Sequence, residues 1–278
     1  MTSVAGPHPH STPKTRAAWI SIASNSSLIV LKIVAGVLTG SVAIITEAVH
    51  SSIDLVASIV AFFSVRKADE PADESHPYGH EKIENLAAAF EGLLIVLGAA
   101  IIIYEAINKL SGTPRVEKLG FGIAVIAFSA VANLGVSRFL YRRAHETDSP
   151  ALEGDAAHLR TDAVTSVGVL VALALVAITG VDTIDPIAAL VVAVAIVFSG
   201  VRLVSRSSRV LVDEALPADE IEGVRQAIEH YGADEVIGFH KIRARRGGSR
   251  RYVDLHVQFR RGTSLERAHD VSHELQAA

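Results

Sequence analysis

A histidine and an aspartate four residues apart occur twice in strongly apolar surroundings. His50 and Asp54 lie within "TEAVHSSIDLVASIVAFF", and His158 and Asp162 within "DAAHLRTDAVTSVGVL". On a helix, a spacing of four puts both side chains on one face, one turn apart. An unpaired ion at membrane depth is expensive, so ionisable groups in apolar helices mark function by default. Two imidazole nitrogens and two carboxylate oxygens can form a tetrahedral set suited to zinc, whose nitrogen and oxygen ligands stand at about 2.0–2.2 Å. Two carboxylates cancel one divalent cation, so the loaded set is neutral. Emptied, the carboxylates repel and raise each other's proton affinity. Protons are then expected to replace the departing metal, and competition for one ligand set is itself a mechanism of exchange.

A second cluster is Asp73, His76 and His80 in "ADEPADESHPYGHEKIEN". These side chains can bind a metal with an open or water-filled fourth position. The segment reads equally as a solvated polar loop with a Pro-Tyr-Gly turn. "HEKIE" is not the His-Glu-x-x-His of a metalloprotease, because Glu84 stands where the second histidine must be. Glu47, three residues before His50, reads as a pathway group or a neighbour of the ligands. Glu91 and Glu105 read as interfacial or helix-pairing groups, and Asn25 and Asn133 as interhelical hydrogen-bonding groups. His8, His10, His145, His230 and His273 read as surface residues.

The elements that must hold these residues follow from hydropathy. The chain has 278 residues, is 50% hydrophobic, and has a mean hydropathy of +0.36. Its charges concentrate after about Val212, which divides a membrane part from a soluble part. Six candidate spans are 17–38, 41–65, 85–110, 119–141, 156–179 and 181–204. Each is about twenty residues, enough to cross about 30 Å of hydrocarbon as a helix. The short connections "TGS" and "GVD" make helical hairpins of the first and last pairs. Lys14, Arg16, Arg66, Lys67, Lys82, Arg138, Arg142, Arg143, Arg202, Arg206 and Arg209 all fall on one side, which the positive-inside rule assigns to the cytoplasm. Lys109, Arg115 and Lys118 on the other side weaken that asymmetry without reversing it. Both termini are expected to be cytoplasmic. The polar, Pro-rich start lacks an apolar core with a cleavage site, so no cleaved signal peptide is expected. There are no cysteines, which excludes disulfides and thiolate metal sites. A net charge of −4 without a basic, aromatic-laced patch gives no reason to expect a nucleic-acid partner.

From Pro217 the pattern changes. "PADEIEGVRQAIEHYG" reads as an amphipathic helix, "ADEVIGFHKIRARR" as a strand, "GGS" as a turn and "RRYVDLHVQFRR" as a second strand. In the last, Val253, Leu255, Val257 and Phe259 alternate with Tyr252, Asp254, His256 and Gln258. A final helix begins in "SLERAHDVSHELQAA", capped by Ser264 or Thr263. The expected organisation is a tail (1–15), an all-α six-helix transmembrane domain (16–210) and a small cytoplasmic α+β domain (211–278).

The sequence resembles the cation diffusion facilitator family, the proton-coupled exporters of zinc and other divalent metals. The resemblance rests on "TEAVHSSIDLVAS", "HPYGHEKIENLAA", "HLRTDAVTSVGVL" and "LVDEALP", and covers the chain from about Arg16 onward. It implies a transport site of His50, Asp54, His158 and Asp162, with histidine at position 50 leaning toward zinc over cadmium. It implies a loop metal site at Asp73, His76 and His80, and an interhelical salt bridge between Lys82 and Asp213. It also implies a homodimer and a cytoplasmic metal-sensing domain of metallochaperone-like fold, with ligands at His240, His256 and His269. That domain lacks its final strand here, since the sequence reaches Ala278 without the His-x-Asp segment the family places there. The function implied is antiport of cytoplasmic Zn²⁺ against protons in a multi-pass protein of a bacterial inner or plasma membrane. Zinc is then substrate and regulatory ligand, with no resident cofactor. Fe²⁺, Co²⁺, Cd²⁺ or Mn²⁺ as main cargo, or a non-transporting metal-sensing partner of the same fold, are the alternatives. A closed set of two histidines and two aspartates offers neither an open metal position nor a general base, so an enzyme is not expected.

Overall fold

An apolar segment in hydrocarbon can satisfy its backbone polar groups within itself only as a helix. The computed structural model describes residues 12–39, 42–111, 120–181, 183–231 and 235–277. Its first six elements are the helices α1 (Pro13–Thr39), α2 (Val42–Ala68), α3 (Lys82–Ser111), α4 (Gly120–Thr147), α5 (Pro150–Thr179) and α6 (Ile184–Leu211). Among the described residues, five of them are long and apolar enough to cross a membrane. The remaining one, α2, has 27 residues and carries the first His-x-x-x-Asp pair.

The helices outrun the expected spans. α5 starts at Pro150 rather than at 156, and α6 ends at Leu211 rather than at 204. Hydropathy marks where hydrocarbon stops, whereas a helix continues until a cap stops it. For α5 the start is Ser149, whose hydroxyl accepts from the Leu152 amide at 3.4 Å, followed by Pro150, which has no amide to satisfy. Its end is Gly180, left-handed at φ 70°, whose amide bonds the Val176 carbonyl at 2.8 Å.

α5 packs on α4, α3 and α2, while α1 packs on α2 and α4. Ala17, Ala18, Phe62, Val65, Leu140, Leu152 and Leu159 form the main apolar core. It fills the half of the bundle where α1, α3 and α5 begin. Polar bonds pin that end. Lys14 Nζ donates to Glu84 Oε1 at 2.9 Å, Ser149 Oγ donates to Glu84 Oε2, and Thr12 donates to Asp69 at 2.8 Å. α3 meets α6 through two glycines: a Cβ on Gly200 would lie 3.0 Å from the Gly92 carbonyl. Small residues let membrane helices approach this closely.

The chain divides into two compact units, Met1–Ser208 and Arg209–Ala278. In the second, α7 (Ala218–Tyr231) is followed by β1 (Val236–Gly247), β2 (Arg250–Phe259) and α8 (Leu265–Ala277). The strands form a two-stranded antiparallel sheet, with His240 opposite His256 and an irregularity between His240 and Arg243. Val253, Leu255, Val257 and Phe259 are half-buried, while Asp254, His256 and Gln258 are exposed. Ser264 caps α8, accepting from the Arg267 amide at 3.2 Å, whereas the Thr263 hydroxyl turns back to the Arg260 carbonyl.

Candidate metal centre

The two His-x-x-x-Asp helices are neighbours, and their side chains meet. Asp54 Oδ1 lies 3.1 Å from His158 Nε2, and Asp162 Oδ2 lies 3.9 Å from the same nitrogen. One ligand atom from each of Asp54, His158 and Asp162 lies within 4.8 Å of the others. Ligands at about 2.0–2.2 Å from a tetrahedral ion stand roughly 3.3–3.6 Å apart, so little movement closes this set on a metal. Asp54 and His158 are buried and Asp162 is half-buried. His50 stands one turn from Asp54 in α2, but its side chain and that of Glu47 lie outside the described residues.

The group sits at the foot of a cavity of about 350 Å³. Its walls include Lys32, Ser51, Asp54, Asn133 and Asp162, and it extends along α3 to Glu105 and Lys109, which are exposed. In the other direction the apolar core around Leu140, Leu152 and Leu159 closes the bundle. The cavity therefore leads away from the end pinned by Lys14, Glu84 and Ser149.

Polar groups on the packed side of the metal ligands knit three helices. Ser58 donates to Asp155 Oδ1 at 2.9 Å and accepts from Asn25 Nδ2 at 2.8 Å, and the Ser21 and Ser58 hydroxyls are 3.0 Å apart. Asn25 is thus the interhelical bonding group its sequence context implied. Asn133 is not: its Oδ1 has no hydrogen-bond partner and it lines the cavity. Glu91 is not interfacial either. It is 0% exposed, because Gly154 and Ala88 leave room for its carboxylate inside the bundle.

Asp73, His76 and His80 form the second group whose ligand atoms lie within 4.8 Å of one another. His76 Nδ1 is 3.2 Å from Asp73 Oδ1 and His80 Nε2 is 3.3 Å from Asp73 Oδ2. The turn that makes this possible needs Gly79 at φ 89°, where a Cβ would also strike Glu81. The His76 amide donates to Asp73 at 2.6 Å. That bond above all holds the Asp73 carboxyl down at about 2, with help from the Ser75 and His76 side chains against partial desolvation.

In the second unit, the rings of His240 and His256 pair across the sheet with centroids 5.2 Å apart. His269 does not join them in a metal-ligating group of three among the described residues; its ring neighbour is His273, at 4.5 Å between centroids. Lys82 opens α3 in the first unit. Asp213 lies in the second, where Arg245 donates to it at 2.8 Å.

Sequence reasoning passed over Lys32, Ser58, Asp155 and Ser149. Lys32 carried a usable signal, a single cation in the apolar run "LIVLKIVAGVL". The other three act through partners distant in sequence, which no local pattern displays.

Two family models match the chain: the cation efflux transmembrane domain over residues 18–212 and the cytoplasmic domain of cation efflux proteins over 216–278. An uncharacterized transporter of Synechocystis sp. is 33% identical over 261 residues, covering 94% of this chain and 84% of the relative. The cation-efflux pump FieF of Yersinia pestis is 31% identical over 271 residues, covering 94% and 88%. Metal tolerance protein C1 of Arabidopsis thaliana is 35% identical over 268 residues, covering 91% of this chain and 56% of its own length.

Proposed function

The chain belongs to the cation efflux family of membrane metal transporters, and from that premise we propose that it carries Zn²⁺ out of the cytoplasm in exchange for protons. The observation that carries this reading is the buried meeting of Asp54, His158 and Asp162 at the foot of a cavity. His50 supplies the fourth ligand from one turn away. Nitrogen and oxygen donors in a four-coordinate set favour zinc over harder cations such as magnesium and calcium, which take oxygen alone. The cavity reaches one end of the bundle and a packed core closes the other, as alternating access requires of a single site. Protons follow from the ligands: carboxylates and imidazole released by a metal in a dry site take up protons.

The other assignments extend this reading. Asp73, His76 and His80 form a second metal site on the cytoplasmic loop. The second unit mediates homodimerisation, in keeping with the dimerisation-domain family it matches, and His240, His256 and His269 are its candidate metal ligands. A Lys82–Asp213 ion pair links the two units. Both termini face the cytoplasm of a bacterial inner or plasma membrane.

The test is flux in proteoliposomes with an imposed pH gradient. Wild-type protein is expected to move Zn²⁺ against the proton gradient, and Asp54→Ala and Asp162→Ala to abolish that flux. Flux retained in both variants removes the site; flux independent of the pH gradient removes the coupling ion.

A further inference from the structure

The bundle buries a cation that the site described above leaves unused. Lys32, in the middle of α1, is 3% exposed, and its Nζ donates to Ser51 Oγ at 2.7 Å. Ser51 lies on α2 between His50 and Asp54, on the same helical face as Asp54. Lys32, Ser51, Asp54 and Asp162 line one cavity. A serine hydroxyl is neutral, and an ammonium at this depth needs charge nearby to balance it. The carboxylates that take the metal stand in the same small volume.

We propose that the Lys32 ammonium is a built-in counter-cation of the transport site, displaced from the two carboxylates when divalent cargo binds and set against its retention afterwards. This rests on the reading of Asp54 and Asp162 as cargo ligands. Glu105 and Lys109, at the exposed mouth, offset one another, so the inner charges decide the balance. Two carboxylates and one ammonium leave the empty site with one net negative charge, and a divalent cation turns this into one net positive charge. The two states carry equal charge magnitudes, so neither is a deep electrostatic trap. Without the ammonium, the empty site holds two negative charges and the loaded site none. Cargo would then bind tightly and leave slowly. The neutral loaded complex expected from the ligands alone omits this cation. Lys32 is thus a positioning residue for charge rather than a metal ligand.

Zn²⁺ flux in proteoliposomes of the full chain tests this, with KM and kcat resolved separately. Lys32→Met is expected to lower KM by about tenfold or more, on the scale of one unit charge removed from a poorly solvated site, and to lower kcat as well. Lys32→Arg, which keeps the charge, is expected to keep KM within about threefold of wild type. A merely structural role would raise KM or lower kcat alone. An unchanged or raised KM in a folded Lys32→Met protein overturns the proposal. If Lys32→Met does not fold, Lys32→Gln supplies a hydrogen bond to Ser51 without the charge. If neither charge-free variant folds, the charge serves the fold and the proposal falls. A wild-type protein that moves no Zn²⁺ overturns the functional reading instead.

Discussion

His158 offers its two ring nitrogens to different surroundings. Nε2 faces the carboxylates of Asp54 and Asp162, while Nδ1 is buried with no hydrogen-bond partner among the described residues. Metal-binding histidines are usually fixed by a hydrogen bond on the second nitrogen. Here the ring is held by packing and by the carboxylates it faces, which suits a ligand that must let its metal go. The loop site is built the opposite way. Asp73 is fixed by the His76 amide, so it stays ionised far into acid. Its folded pKa of about 2 lies below the ordinary 3.8. The contribution of this carboxylate to the turn is therefore complete above about pH 4 and lost as pH falls through about 2. Selective ¹³C labelling of aspartate should show the Asp73 carboxyl titrating near 2; a midpoint near 4 removes the His76 amide from the account. Acidification toward pH 5 would then weaken loop metal binding through the histidines alone.

At the scale of elements, the ends of the helices do work that their apolar middles cannot. Ser149 caps α5 and also donates to Glu84, which Lys14 holds from the other side, so one serine ties α1, α3 and α5 together. Ser149→Ala removes the cap and leaves a buried carboxylate with one fewer donor. It should cost about 1–3 kcal/mol in reversible unfolding from detergent micelles. A loss below about 0.5 kcal/mol would mean that water takes the place of the hydroxyl. This node was not legible in the sequence, because Ser149 and Glu84 are far apart along the chain. The paired His-x-x-x-Asp helices were legible because their geometry is local: spacing of four fixes one face, and the cost of a membrane charge says that the face must meet another. The β2 alternation was legible for the same reason. Lys32 was visible but not interpretable, since nothing in "LIVLKIVAGVL" says that Ser51 and Asp54 stand opposite. Span ends at 156 and 204 misplaced the helices because caps, not hydropathy, end them.

For the molecule as a whole, transport requires that access to Asp54 and Asp162 change sides, and the first unit holds one of the two arrangements needed. Its cavity runs from those carboxylates to exposed residues at the end of α3, and its apolar core closes the way toward the pinned end. α4 passes through both regions and carries two serines of equal burial. Ser129 and Ser137 are each 3% exposed, yet Ser129 lines the cavity while Ser137 donates to the Ala156 carbonyl at 2.6 Å within the packed half. The chain has no cysteine, so Ser129→Cys and Ser137→Cys each give a single thiol at nearly unchanged volume. A small methanethiosulfonate reagent should modify the cysteine at 129 at least about tenfold faster than that at 137, because reaction at 137 must await an opening of the packed half. Conditions that favour the opposite arrangement, here an imposed pH gradient, should narrow the ratio by raising the rate at 137 and lowering it at 129. Equal rates without a gradient would mean that the packed half opens as readily as the cavity, and that the closed end is no barrier. A ratio unmoved by the gradient would mean that the bundle does not exchange sides at all, and alternating access would fail with it.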